Sequence, residues 1–256
     1  MKVYKLIALL LALFLLAGCG AAAPAEIATN DSTTAPSTEA TEGYPEPDKL
    51  IALTFDDGPS STTMAKVLDL LKEYDAKATF FIVGKKIKAS TKDVLQRAVD
   101  EGHELANHSF NHVRMAELTE EEIVKEYENC QKAVLDAVGV EMYYFRAPFG
   151  SVDERVRRLV PAPFMLCGAA AGDGTNESLA EDRAYKVISK SYHGCIVLLH
   201  CFEGNEPTVE ALKTILPELK KQGYKFVTLT QLYEESGTPI PVPDTERSYY
   251  DINRVE

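Results

Sequence analysis

Leu50-Ile51-Ala52-Leu53-Thr54-Phe55-Asp56-Asp57-Gly58-Pro59 is an apolar run that ends in two adjacent carboxylates and a Gly-Pro turn. Such a run without polar alternation reads as a strand buried on both faces, Leu50–Thr54. Gly and Pro punctuate its end. Outward from it the same pattern recurs. Strands are expected at Ala78–Val83, Glu104–Ala106, Met142–Phe145, Phe164–Gly168, Ile196–Leu199 and Phe226–Leu229. Helices are expected between them, at Thr62–Tyr74, Thr91–Asp100, Thr119–Val138, Asp153–Leu159, Leu179–Ser191 and Thr208–Gln222. Thr119 with Glu122 forms a capping-box signature, and Gly139 suits a left-handed helix end. Alternating strands and helices imply an α/β fold with a parallel sheet. Asp56, His108, Arg146, Asp173 and His200 each follow the C-terminal end of an expected strand. A closed β/α barrel gathers those ends on one face. A doubly wound open sheet is the other fold this pattern allows.

The residues at the strand ends carry chemistry. Asp57, or its neighbour, with His108 and His112 of Asn107-His108-Ser109-Phe110-Asn111-His112 supplies one carboxylate and two imidazoles. That donor set suits zinc and its neighbours cobalt, manganese and iron. Three protein donors leave a position open for water, and the spare Asp can act as base. Each motif has a plain reading when taken alone. Asp-Asp-Gly-Pro makes a turn, and two His four apart share one face of a helix. The two motifs in this order, in one chain, argue for the metal.

Two further segments extend the pattern: Tyr144-Phe145-Arg146-Ala147-Pro148-Phe149-Gly150, and Ile196-Val197-Leu198-Leu199-His200. With them the chain resembles the polysaccharide deacetylases, carbohydrate esterase family four, whose catalytic part is the chitooligosaccharide deacetylase homology domain. The resemblance runs from about Leu50 to Leu232 and matches the first three family motifs cleanly. It implies a single catalytic domain folded as a distorted (β/α)7 barrel. It also implies that N-acetyl groups are removed from N-acetylglucosamine glycans, cell-wall peptidoglycan first among them. By matched position, Asp57, His108 and His112 resemble the metal ligands, with zinc the expected ion. Asp56 resembles the general base and Arg146 the cation that orients it. Phe149, after Pro148, would offer a backbone N–H to the oxyanion. His200 resembles the general acid, with Asp173 behind it.

The fourth motif departs from the family pattern. Cys167-Gly168-Ala169-Ala170-Ala171-Gly172-Asp173-Gly174 occupies its place, with Ala170 for the first Asp and Gly174 for the Trp. Cys201 follows His200 where Asp is usual, and the chain has no Trp. An aromatic wall is therefore missing or built from Tyr or Phe. These departures keep two alternatives open: a glycan-binding lipoprotein with little turnover, and a deacylase of another acylated substrate.

The first residues give an address. Lys2 and Lys5 precede an apolar run from Leu6 to Ala17, too short for a span of about 20 residues. Leu16-Ala17-Gly18-Cys19 reads as a lipobox, so residues 1–19 are expected to be a lipoprotein signal with Cys19 lipidated. Residues 20–48 are rich in Ala, Thr, Ser, Pro and Glu and read as a flexible tether. The catalytic domain is expected at 49–236, and 237–256 reads as a polar tail. The expected location is extracytoplasmic, on the cell membrane by the lipid alone. The expected partner is the glycan, and the expected state a monomer. A formal charge of −12 argues against nucleic acid. Besides Cys19, Cys130, Cys167, Cys195 and Cys201 remain, and export permits pairing, with Cys167–Cys201 the candidate bridge.

Overall fold

The computed structural model describes residues 46–256. The signal segment, Cys19 and most of the expected tether lie outside the described residues. In chain order the elements are β1 (Lys49–Gly58), α1 (Thr63–Glu73), β2 (Ala78–Ile82), α2 (Ala89–Asp100), β3 (Glu104–Asn107) and α3 (Glu120–Val138). Then follow α4 (Glu154–Leu159), β4 (Phe164–Met165), β5 (Ala169–Ala170), α5 (Ala180–Lys190) and β6 (Cys195–His200). The chain closes with α6 (Glu206–Lys221), β7 (Tyr224–Phe226), α7 (Leu229–Ser236) and β8 (Ser248–Tyr249).

β1 is the spine. Its interior is buried throughout, as the unbroken apolar run requires. It pairs in parallel with β2, with β6 and, at its start, with β7, and the path through the sheet is β3-β2-β1-β6-β5. Phe145 extends the wall beyond β3 by parallel bridges to Asn107 and Phe164. The result is a distorted β/α barrel. Ile51, Leu53 and Phe55 of β1 enter the main apolar cluster, with Leu68 of α1 and Leu212, Ile215 and Leu219 of α6. Thr119 and Glu122 form the expected capping box, and Gly139 ends α3 in the left-handed region at φ 72°.

Three expected strands differ from what forms. Met142–Phe145 shrinks to the bridges at Phe145, because the Met142 carbonyl is taken by the Gln131 side chain. Of Phe164–Gly168 only β4, Phe164–Met165, forms; the chain bends at residues 166–168 and β5 begins beyond the expected strand, at Ala169. The Met165 and Leu166 carbonyls at that bend accept hydrogen bonds from the Arg146 guanidinium. The strand expected at Phe226–Leu229 lies earlier, at Tyr224–Phe226, since Thr228 caps α7, a helix the sequence reading did not contain. Residues 237–256 also carry structure: β8 pairs with β4, and Ser248, Tyr249 and Asp251 are buried. The four cysteines of the described residues are free. Cys167 lines a cleft, whereas the Cys201 thiol points to the Asp56 carbonyl and lies against Gly58, so the two do not meet.

Candidate active site

Consecutive residues of a regular strand point to opposite faces. Asp56 and Asp57 escape that rule. The β1–β2 register shifts between Phe55 and Gly58, and Asp57 takes φ 69°. This bulge turns both carboxylates into one cleft at the strand's C-terminal end. His108 and His112 are not on a helix. They sit in the loop after β3, where Ser109 (φ 63°) and His112 (φ 57°) are both left-handed. The loop is held on all sides. Asn107 Oδ1 accepts from Ser109 N, Ser109 Oγ accepts from His112 N, and the Glu126 carboxylate of α3 accepts from Asn111 N and Nδ2. Of the five non-glycine residues with positive φ among the described residues, Asp57, Ser109, His112 and Phe149 belong to the site or its loop. Such conformations persist only where the surroundings enforce them, and they cluster at functional sites.

The donors of Asp57, His108 and His112 all lie within 4.8 Å of one another. Asp57 Oδ1 is 3.0 Å from His112 Nε2 and 3.7 Å from His108 Nε2, yet it is buried and receives no aligned hydrogen bond. His108 Nδ1 lies 2.7 Å from the Arg146 carbonyl, which only accepts. The proton therefore sits on Nδ1, and the Nε2 lone pair faces Asp57. A buried, unsatisfied oxygen and a lone pair aimed at the same point fit a divalent cation. Tetrahedral bonds of about 2.0–2.2 Å would set such donors about 3.3 Å apart. Burial opposes charge on Asp57, but the facing His112 and His108 rings and Lys86 outweigh it and hold the carboxyl below its usual range. Burial pushes the His108 pKa down, against Asp56 and Asp57, which favours the neutral ligand form.

Asp56 shares the cleft with Asp57 but is held by a different partner. Arg146 Nη1 donates to Asp56 Oδ1 at 2.7 Å and to Thr54 Oγ1 at 2.9 Å, while its Nε and Nη2 reach the Met165 and Leu166 carbonyls. The guanidinium also lies 4.0 Å above the Phe81 ring. Four of its five N–H groups are engaged, so Arg146 is fixed, and it fixes one oxygen of Asp56. The other oxygen, Oδ2, lies 3.6 Å from His108 Nε2, beside the triad.

The opposite wall is built differently. His200 Nδ1 meets Asp173 Oδ1 at 2.9 Å, and His200 N donates to Asp173 Oδ2 at 2.8 Å. Thr208 Oγ1 also donates to Asp173 Oδ2. Fully buried Arg183 donates to Thr208 Oγ1 and to Asn205 Oδ1, and Asn205 Nδ2 donates to the Asp173 and His200 carbonyls. Sequence reading missed Arg183, Asn205 and Thr208. Its one available signal was Arg183 on the apolar stripe of α5 with Ala184 and Val187. Burial disfavours the His200 cation, yet Asp173, Asp56 and Asp57 prevail and raise its pKa above 6.5. Gly174 lies against His200: a Cβ there would come 3.6 Å from His200 Cε1. Burial pushes the Cys201 thiol well above its usual range, which leaves it inert as a nucleophile.

Asp56, Asp57, His108, His112, Arg146, Phe149 and His200 line one cavity of about 380 Å³, Asp173 stands behind His200, and Pro148 is buried just before Phe149. Phe149 supplies an aromatic surface in a chain without Trp. It is 60% exposed, with its ring 4.7 Å from His112 and beneath the Arg114 guanidinium.

Fold and site together define an α/β barrel protein with a three-donor, metal-ready cleft at its strand ends. The polysaccharide deacetylase family model matches residues 43–162. A curated peptidoglycan-N-acetylglucosamine deacetylase from Bacillus cereus is 36% identical over 195 residues, 73% of this chain and 90% of that protein. The chain belongs to the polysaccharide deacetylase family. A bifunctional xylanase/deacetylase from Pseudobutyrivibrio xylanivorans is 42% identical over 189 residues, 74% of this chain; the match spans only 31% of that protein's length. The solved structure of a family 4 acetyl xylan esterase from Clostridium thermocellum, in complex with a cobalt ion, superposes with a TM-score of 0.76 at 38% identity. It covers 80% of this chain and 100% of that one.

Proposed function

We propose that this chain is a metal-dependent deacetylase that hydrolyses the N-acetyl groups of N-acetylglucosamine glycans, with peptidoglycan as the polymer. The observation that carries this reading is the pairing across one cleft of an Arg-held carboxylate, Asp56, with an Asp-held imidazole, His200. A cation held by Asp57, His108 and His112, zinc or a neighbour of it, supplies Lewis acidity that lowers the pKa of water and polarises a carbonyl.

Asp56 takes the proton from the attacking water, its free oxygen turned to the cleft by Arg146. The Phe149 N–H, in the turn after Pro148, donates to the developing oxyanion. His200, whose protonated form Asp173 favours, gives its proton to the sugar nitrogen as the C–N bond breaks. The products are acetate and a free amine. An amine leaves an amide only once protonated, so a well-built acid argues for amide substrates.

The resemblance to xylan-acting proteins favours a second reading, hydrolysis of O-acetyl esters. A binding protein with little turnover is the reading favoured by Ala170 and Gly174 in the fourth motif. Acetate release from peptidoglycan, N-acetylglucosamine oligomers and acetylated xylan, with added zinc or cobalt, separates all three. Amides preferred over esters support the proposal; xylan alone, or no release at all, ends it. The proposed location is the outer face of the membrane, with lipid on Cys19. Cys19→Ser should shed or misplace the protein, and an unlipidated wild-type chain would refute the anchor.

A further inference from the structure

Beside the catalytic cleft lies a second cavity of about 320 Å³, and Ala147, Gly150 and Leu166 line both. One wall is the surface of the barrel at Arg157 and Phe164; the other is the C-terminal segment, through Glu246, Ser248, Tyr250 and Glu256. We infer that this cavity is a glycan subsite, which takes a further sugar ring of the chain whose acetyl group occupies the catalytic cleft. The inference rests on the deacetylase reading and adds a ligand position to it.

The wall is a built structure. β8 pairs with β4, Arg157 donates to the Arg247 carbonyl and to Ser248 Oγ, and Asp251 Oδ1 accepts from Asn253 N and Arg254 N. These bonds fix a segment that composition alone marks as polar tail. Its chemistry is that of a site for a neutral polyhydroxylated ring. Glu246 and Glu256 carboxylates accept from hydroxyls, the Ser248 hydroxyl and the remaining Arg157 N–H groups donate, and Tyr250 offers ring surface. The Tyr250 ring is braced by the Arg254 guanidinium at 4.0 Å, which is itself paired with Glu256 at 2.9 Å. Acids and a base together leave no net preference for an anion. The shared residues make the two cavities one path, so a ring here and an acetyl group at Asp56 can belong to one oligosaccharide.

The test is binding of N-acetylglucosamine monomer and dimer to the zinc-loaded chain by calorimetry, in the Asp56→Asn background so that no turnover intrudes. Tyr250→Ala removes the ring surface. Glu246→Ala changes an exposed side chain and cannot unfold the domain. The dimer should bind about tenfold more tightly than the monomer, the worth of one or two good contacts. Each variant should lose most of that gain and leave monomer binding within about twofold. No gain from monomer to dimer, or a gain that survives both variants, overturns the subsite. Failure of the deacetylase reading would show separately, as no acetate release by the chain with Asp56 intact.

Discussion

The two walls of the cleft are made by different means. On the metal wall, Asp56-Asp57 and His108–His112 come from two short segments, each at the end of a paired strand; the His loop is braced by its own Asn107 and Ser109, and Arg146 holds Asp56 and meets His108 directly. On the acid wall, His200 depends on Asp173, and Asp173 depends on Thr208, Asn205 and Arg183 from two later helical segments. The metal donors come from two contiguous motifs with direct supports; the acid wall is a relay. The fourth motif can therefore lose its first Asp and its Trp and still deliver His200 in place. What must survive is the one carboxylate the relay converges on.

Removal of the metal is the largest test of the contrast. A chelated, verified metal-free preparation should lose about 10³-fold or more in acetate release, because several kcal/mol of Lewis-acid stabilisation go with the ion. Zinc or cobalt should restore it. Full activity without metal would void the distinction between the walls.

Substitution on the acid wall should cost less and leave a different signature. His200→Ala should slow amide hydrolysis about 10²–10⁴-fold and ester hydrolysis less. Asp173→Asn should act through His200 and show in the pH profile. The folded-state pKa of His200 is raised, so its donating form persists above pH 6.5 and is lost as pH climbs further. Without Asp173 the alkaline limb should move to lower pH, with a greater loss at pH 8 than at pH 6. An unmoved limb would mean that Asp173 is a turn residue only.

The smallest expected effect is a control at the other end of β3, where a histidine serves neither wall. His103 accepts from Ala78 N and packs edge-on against Phe80. Burial, helped by Lys77, lowers its pKa to about 4. The unfolded chain binds the proton near pH 6.5 and the folded chain refuses it, so stability falls as pH drops through that window. From pH 7 to pH 5 the loss is about 2 kcal/mol. His103→Gln should flatten that slope in urea titrations without changing the metal content. A slope equal to wild type would show that His103 is not held neutral.

The sequence made the metal wall legible because its motifs are contiguous and each carries its chemistry within a few residues. Asp56, Asp57, His108 and His112 could be named before the strands that hold them were drawn. The bulge that turns two neighbouring Asp into one cleft could not be read, since it depends on register with β2. Arg183, Asn205 and Thr208 escaped because their roles exist only once α5 and the start of α6 meet β6. β8 and α7 escaped for a related reason. Residues 237–256 are polar and proline-bearing, and their burial comes from pairing with β4, about 80 residues earlier in the chain.

The central claim is that adjacent Asp56 and Asp57 hold separate offices, base and metal ligand. Metal content and acetate release, measured side by side for Asp56→Asn and Asp57→Asn, test it most directly. Asp56→Asn should keep its metal and lose about 10²–10⁴-fold in turnover. Asp57→Asn should lose affinity for the metal and regain part of its activity at high metal concentration. Wild-type turnover in Asp56→Asn, or metal loss as severe as in Asp57→Asn, would contradict the assignment.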